Sequence, residues 1–122
     1  MKYGALLIFL TYMIQPSLAQ DRFTARVLES ICSPDQQEPA KAREQAEVVC
    51  GTYLLGLTDA LFVMQSLARE SQRTCMPANT AVAVAEARRI FHDWLVRNPQ
   101  HAENTAGLVA AMAIVNAYKC SR

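Results

Sequence analysis

The chain has 122 residues, of which 52% are apolar and 19% charged, and a formal net charge of +1. One domain is expected, because a domain usually has roughly 100–150 residues. The near-neutral charge excludes the strongly basic surface that binding to nucleic acid or to an anionic membrane requires. The apolar content is too high, and the charged content too low, for a disordered chain.

The N-terminal segment has the features of a cleavable export signal. A positively charged start precedes an apolar segment at residues 5–14, and Ser17-Leu18-Ala19 supplies the small-x-small cleavage pattern. We predict a signal peptide over residues 1–19 and one mature domain over residues 20–122, exported to the periplasm or beyond; a buried N-terminal helix is the alternative. No later stretch approaches the roughly 20 apolar residues of a membrane span, so no membrane insertion is expected after cleavage.

Turn signals and apolar spacing predict an all-α fold, a small bundle of about four helices. Asp21 is the predicted cap of a first helix, whose apolar face comprises Phe23, Val27, Leu28 and Ile31. A long second helix begins at Ala40 and carries an apolar stripe: Ala46, Val49, Cys50, Tyr53, Leu54, Leu57, Ala60, Leu61, Met64 and Leu67. We expect this stripe to be core, with a dimer contact as the alternative. Gly51 and Gly56 interrupt it, and close helix–helix approach is the favoured reason for both.

Two further helices follow a polar loop over residues 69–80. Asn79 or Thr80 is the predicted cap of the third helix, which should bury Val84, Ala87, Phe91, Trp94 and Leu95 and end at Asn98-Pro99. The fourth helix is predicted from about Glu103 to Lys119, with Leu108, Ala111, Met112, Val115 and Tyr118 buried.

The four cysteines predict two disulfides. Their even number and wide spacing fit an exported protein, and none forms the C-x-x-C pair of a redox or zinc site. The third and fourth helices are similar in length and joined by a short turn, so they should pack antiparallel. Cys75 precedes one and Cys120 follows the other, which places both at the same end of the hairpin. The preferred pairs are therefore Cys75–Cys120 and Cys32–Cys50.

The sequence offers no catalytic apparatus, and we expect no metal or cofactor. His92 and His101 are interpreted as surface residues, since neither lies at i, i+4 from a second ligand. Glu44 and Glu47 belong to a solvated helix face. Asp59 lies among apolar residues, so it either makes a buried hydrogen bond or marks the edge of the helix.

Four short patterns follow one another along the chain: C-x-x-Y-x-x-G-x-x-D-A over residues 50–60, C-x-P from Cys75, L-x-x-x-P from Leu95, and an alanine-rich helix that ends at Cys120. Together they resemble the Rap/Tai family of immunity proteins against type VI secretion amidases, over roughly residues 45–120. Lys119 and Ala78 depart from the family pattern, in which Pro and Gly are common at these positions.

The resemblance implies a periplasmic antidote, often dimeric, that binds a peptidoglycan amidase and blocks its Cys-His cleft with a protruding loop. We predict that Glu70, Ser71, Gln72, Arg73 and Met76 form this loop, with the turn over residues 97–101 as second candidate; a solvated connector is the plain alternative. A periplasmic acid-stress chaperone is the alternative function. A small secreted hydrolase, which needs a free thiol, is the third.

Overall fold

The computed structural model of the protein describes residues 22–33, 35, 39–72, 74–77 and 82–120. Its four α-helices are α1 (Ala25–Cys32), α2 (Ala40–Leu67), α3 (Val84–Arg97) and α4 (Ala106–Ala117), with short 3-10 helices at Glu70–Gln72 and Pro99–His101. The described residues form no β-strand, only an isolated bridge between Thr24 and Thr105. The all-α prediction is thus confirmed. The predicted signal peptide lies outside the described residues.

The start of α1 differs from the prediction. Thr24, not Asp21, is the N-cap, and its side-chain oxygen accepts a hydrogen bond from the Val27 amide at 3.4 Å. Asp21 lies outside the described residues. Because the helix begins only at Ala25, Phe23 precedes it and packs edge-on against the Tyr53 ring, with the ring centroids 5.3 Å apart.

The buried face of α1 is accordingly different from the predicted one. It consists of Ala25, Leu28 and Cys32. Phe23 and Val27, which we expected to be buried, are exposed. Because Phe23 precedes the helix, its spacing to Val27 is not a helical spacing and does not indicate which face of α1 is buried.

The central helix, α2, begins at Ala40 as predicted but buries only part of its apolar stripe. Its buried residues are Cys50, Leu54, Thr58 and Leu61. Four stripe residues are exposed instead: Val49, Ala60, Met64 and Leu67. With 28 residues, α2 is about 42 Å long, whereas α1, α3 and α4 have 8, 14 and 12 residues. No one of the shorter helices is therefore long enough to cover it from end to end.

This length also corrects the expectation that no later stretch reaches the size of a membrane span. Among the described residues, α2 alone is long and apolar enough to cross a membrane, by length and composition. In the structure α2 contributes Cys50, Leu54 and Leu61 to the hydrophobic core.

The two glycines of α2 are not explained by close packing within the chain. A Cβ atom at Gly51 would lie 3.7 Å from Val84 Cγ1, an ordinary contact, and one at Gly56 would meet nothing within 4 Å. The close approach occurs on α4, where a Cβ atom at Gly107 would lie 3.1 Å from the Tyr53 hydroxyl oxygen. Packing within the monomer therefore does not explain why a glycine is present at position 56.

The α3 helix supplies the two aromatic side chains of the core, Phe91 and Trp94. It buries Ala87, Ile90, Phe91, Trp94 and Leu95 and ends at Arg97, as Asn98-Pro99 predicts. Val84, expected to be buried, is half-buried. The N-cap of α3 is Ala83, which makes no side-chain hydrogen bond. The prediction of a cap at Asn79 or Thr80 was therefore wrong, and these two residues lie outside the described residues.

The buried face of α4 was predicted correctly only in part: of the five residues expected there, Ala111, Val115 and Tyr118 are half-buried against the core. The helix buries Ala106, Val109, Ala110, Ala113 and Ile114, whereas Leu108 and Met112 are exposed. Its sequence, AGLVAAMAIVNA, is apolar around most of its circumference. Spacing therefore cannot identify which side faces the core.

Both predicted disulfides are present. Cys32 is bonded to Cys50, and Cys75 to Cys120, across sequence separations of 18 and 45 residues. The first joins the end of α1 to α2, and the second joins the chain after α2 to the chain after α4. On the chain-entropy model they stabilise the domain by about 3 and 4 kcal/mol.

Candidate partner-binding surface

The last turns of α2 leave the core after Leu61 and expose apolar side chains. Met64 is 65% exposed and Leu67 is 82% exposed, the largest exposed fraction of any large apolar residue described. The chain then turns away from the helix axis at Ala68 and enters the 3-10 helix Glu70–Gln72. Large apolar side chains grouped on a surface indicate a contact with another molecule.

The loop that follows is held at its far end by three connections. The Thr74 amide donates a hydrogen bond to Gln65 Oε1 at 2.7 Å, which ties the loop back onto α2. The Cys75 amide donates to the Tyr118 carbonyl at 2.8 Å, and the Cys75–Cys120 disulfide joins the same two segments covalently. A loop fixed in this way loses little conformational entropy when a partner binds it.

The predicted contact residues occupy different positions in this loop. Glu70 and Ser71 are exposed in the 3-10 helix, and Gln72 completes that helix. Met76 is half-buried and packs against the hydrophobic core, so part of its surface anchors the loop. Arg73 lies outside the described residues. We call Met64, Leu67 and residues 68–72 and 74–77 the α2-end patch.

Sequence reasoning missed Met64 and Leu67 as surface residues, because both continue the apolar stripe at helical spacing. The signal that could have found them is helix length. The predicted α2 was longer than each of the other predicted helices, so no single helix could cover its stripe from end to end.

In the second candidate loop, residues 97–101, several side chains contact the preceding helix, α3. Arg97 Nε donates to the Asp93 carbonyl at 2.9 Å, and the Asn98 side-chain amide donates to the Trp94 carbonyl at 2.8 Å. The His101 ring lies 5.3 Å from the Trp94 ring, centroid to centroid. These contacts hold the side chains of Arg97, Asn98 and His101 against α3.

A charged cleft of about 540 Å³ lies between α1, α2 and α3. Its lining includes Glu29, Asp35, Glu47, Arg88, Arg89 and His92. Several of these groups are paired: Glu29 contacts His92 Nδ1, and Arg88 lies 3.9 Å from Glu47. The hydrogen bond to Glu29 and its negative charge raise the pKa of His92. These pairs of charged side chains connect α3 to α1 and to α2 across the cleft.

The described residues show no group arranged for catalysis. All four cysteines are in disulfides, which removes the thiolate that a cysteine hydrolase needs. No cluster of His, Cys, Asp or Glu within the described part of the chain could hold a metal ion. Asp59 is exposed, so of its two predicted roles it marks the edge of α2. The buried polar residue is its neighbour Thr58, whose hydroxyl donates to the Leu55 carbonyl at 2.9 Å.

Comparison with known proteins links the chain to a protein family. A family model described as Rap1a immunity proteins matches residues 24–120. No curated protein and no solved structure matches significantly. The matched segment includes all four helices, both disulfides and the α2-end patch.

Proposed function

Because this chain belongs to the Rap1a immunity proteins, a family of type VI effector immunity proteins, we propose that it binds a cognate peptidoglycan amidase and blocks its active-site cleft. The family indicates a non-enzymatic inhibitor. It gives no support to the acid-stress chaperone alternative. The amidase as partner and the blocking of its cleft are part of the proposal, argued from the α2-end patch.

The observation that carries the mechanism is the fixed loop beside exposed apolar side chains. Leu67 and Met64 can fill apolar depressions on a partner, while Glu70 and Ser71 present exposed polar groups in the 3-10 helix that follows. The ties at Thr74 and Cys75 hold this arrangement before the partner arrives. An inhibitor of this kind works by shape and pre-organisation, and needs no reactive group.

We further propose that the protein acts in the periplasm as a homodimer. Residues 1–19 would direct its export and be removed, and the oxidising compartment would allow both disulfides to form. An amidase that cleaves peptidoglycan acts in the same compartment. Inhibitor and enzyme would therefore meet where the enzyme is harmful.

Co-export provides the direct test of function. The amidase encoded by the neighbouring reading frame is directed to the periplasm with and without this protein, and lysis is followed by optical density. We expect lysis when the amidase is exported alone and growth when both are exported. Lysis in both cultures, with the two proteins expressed and the amidase active, would contradict the proposal.

Substitutions then locate the contact. Arg73→Glu and Leu67→Asp should each weaken amidase binding by about 30-fold or more, the effect of losing a hot-spot residue. The melting temperature should change little, because Leu67 is 82% exposed. Affinities are measured by calorimetry on purified oxidised proteins.

Matched controls use the same changes elsewhere on the surface. Arg97→Glu alters the second candidate loop, and Val96→Asp introduces a carboxylate at a position that is 65% exposed on α3. Both should leave the affinity within about twofold of wild type. A loss of binding with Arg97→Glu but not with Arg73→Glu would assign the contact to residues 97–101 instead.

A further inference from the structure

The two disulfides differ in their exposure to solvent. Cys32 is 5% exposed and Cys50 is 0% exposed, and both belong to the hydrophobic core. Cys75 and Cys120 are both exposed. A disulfide is reduced only where a thiolate reaches one of its sulfur atoms, so access decides which of two bonds reacts first. The native fold therefore leaves Cys75–Cys120 open to thiols and shields Cys32–Cys50.

The local structure around each disulfide strengthens this difference. Cys32 is the last residue of α1 and Cys50 lies within α2, so a thiol reaches their sulfur atoms only when packed helices separate. Cys75 and Cys120 lie outside the helices, in the segments that follow α2 and α4. Lys119 is exposed and directly precedes Cys120. Its positive charge attracts an approaching thiolate and stabilises the thiolate that leaves.

Reduction of the exposed disulfide would remove the covalent connection that fixes the α2-end patch. The hydrogen bonds donated by the amides of Thr74 and Cys75 would remain. Met76 would still contact the hydrophobic core. The core itself contains neither cysteine of this disulfide, so the four helices should keep their packing. Reduction should therefore loosen the patch without unfolding the domain.

We propose that Cys75–Cys120 is a site of reversible thiol–disulfide exchange with a dithiol oxidoreductase, and that its redox state sets how firmly the α2-end patch is held. Cys32–Cys50 keeps a structural role. The inference rests on the proposed function only in its last step, the effect on amidase binding. The exchange reaction and the release of the patch are independent of any effector.

The exchange is a two-electron reduction that takes place in two steps. A thiolate of the oxidoreductase attacks one sulfur of Cys75–Cys120, which forms a mixed disulfide and breaks the S–S bond of the protein. The other sulfur leaves as a thiolate and takes a proton from water. The second thiol of the oxidoreductase loses its proton to water and attacks the oxidoreductase sulfur of the mixed disulfide, which releases the second cysteine as a thiolate that is protonated in turn. The protein gains two thiols, and the oxidoreductase dithiol becomes a disulfide.

Selective reduction of the mature oxidised protein tests the site. The protein is treated with dithiothreitol or with reduced thioredoxin, quenched with acid at intervals, alkylated with N-ethylmaleimide and analysed by peptide mass spectrometry. Cys75 and Cys120 should initially be labelled at least about 100-fold faster than Cys32 and Cys50, which react only when the fold opens. In concentrated urea, the control for burial, both pairs should react with dithiothreitol at similar rates. Equal rates in the folded protein with either reductant would overturn the inference.

Hydrogen exchange then measures whether reduction frees the patch. The Thr74 and Cys75 amides donate hydrogen bonds in the oxidised protein, and their protection should fall at least about tenfold on reduction. The helical circular dichroism should be retained. A loss of helicity would mean that this disulfide holds the whole fold, and unchanged protection would mean that it does not fix the patch. Either result would overturn the inference.

Amidase affinity is compared by calorimetry between the oxidised and the selectively reduced protein, after removal of the reductant. Reduction should weaken binding at least about tenfold, because a looser patch loses more conformational entropy when it binds. Reoxidation should restore the affinity. The variant with Cys32 and Cys50 replaced by Ala should respond like wild type, whereas the variant with Cys75 and Cys120 replaced by Ala should bind weakly under both conditions.

Linkage gives a second measure of the same coupling. If the oxidised form binds the amidase about tenfold more tightly, bound amidase must lower the reduction potential of Cys75–Cys120 by about 30 mV. Equal affinities of the two forms, with no shift in potential, would overturn the effect on recognition. An oxidised protein that is reduced selectively and releases the patch as expected, but binds no amidase, would refute the proposed function and leave the exchange site standing.

Discussion

The two sides of α2 differ in environment far more than in composition. Cys50, Leu54 and Leu61 on one side are buried against the shorter helices, while Val48, Leu55 and Phe62 on the other side are exposed. Both sides are rich in large apolar residues. The difference teaches that burial in this protein is decided by where the neighbouring helices lie, and that apolar content alone does not separate core from contact surface.

A second difference follows from the first. The buried side is held by the Cys32–Cys50 disulfide and by core packing. The α2-end patch is held by the Cys75–Cys120 disulfide and the Thr74–Gln65 hydrogen bond, beyond the last buried residue of α2. Both disulfides therefore stabilise the domain, but they act at separate places, and only Cys75–Cys120 also anchors the α2-end patch.

Two adjacent leucines test this comparison with the largest expected effect. Leu54 is fully buried and Leu55 is 43% exposed. Leu54→Ala should lower the free energy of unfolding by about 2–5 kcal/mol, because it leaves a cavity in the core. Leu55→Ala should cost less than about 1 kcal/mol in the monomer. Urea unfolding at low protein concentration measures both, and equal losses would contradict the distinction between the two sides.

The fold class and the disulfide pairing were both predictable from the sequence. Prolines and polar stretches marked the interruptions between helices, and Asn98-Pro99 gave the end of α3 correctly. The positions of Cys75 and Cys120 at the ends of one helical hairpin led to the observed pairs. The helix ends depend on local chain geometry, and the disulfide pairs follow from the antiparallel packing that a short turn between two helices favours.

The buried faces were predicted less well, for a physical reason. Spacing locates a face only when the opposite side is polar, and α4 and the later part of α2 lack a polar side. Leu108, Met112 and Leu67 were therefore assigned to the core although they are exposed. The candidate loop was located by its polarity and its cysteine, but its apolar neighbours on α2 could only be found once the relative lengths of the helices were known.

Removal of a disulfide on the buried side should have an intermediate effect. Replacing Cys32 and Cys50 together by Ala should cost about 3 kcal/mol, since the closed loop no longer restricts the unfolded chain. Amidase affinity, measured where the variant is still folded, should stay close to wild type.

The matched variant replaces Cys75 and Cys120 by Ala. It also loses stability, but it releases the α2-end patch from the segment after α4. Amidase affinity should fall in this variant alone. Equal affinity losses in the two double variants would show that the recognition surface depends on the whole fold rather than on its own anchor.

The smallest expected effect concerns the charged cleft, at the edge of the buried side of α2. There Glu29 of α1 pairs with His92 of α3, which raises the pKa of His92 above its ordinary value of 6.5. Because the folded state holds the proton more tightly, the pair stabilises fully below about pH 6.5 and its contribution is lost as pH rises through the raised pKa. The His92 side chain is 54% exposed, so solvent screening should keep the effect below about 1 kcal/mol.

Urea unfolding between about pH 5.5 and pH 8.5 measures this contribution. The free energy of unfolding of wild type should decline across the upper part of that range. His92→Gln should flatten the decline, because it removes the titrating group, while His101→Gln on the turn after α3 should preserve it. An unchanged slope in His92→Gln would mean that the ion pair between α1 and α3 contributes nothing measurable. The charged cleft would then add nothing measurable to the stability that the hydrophobic core and the disulfides supply, which would make the contrast between packed and charged surfaces sharper still.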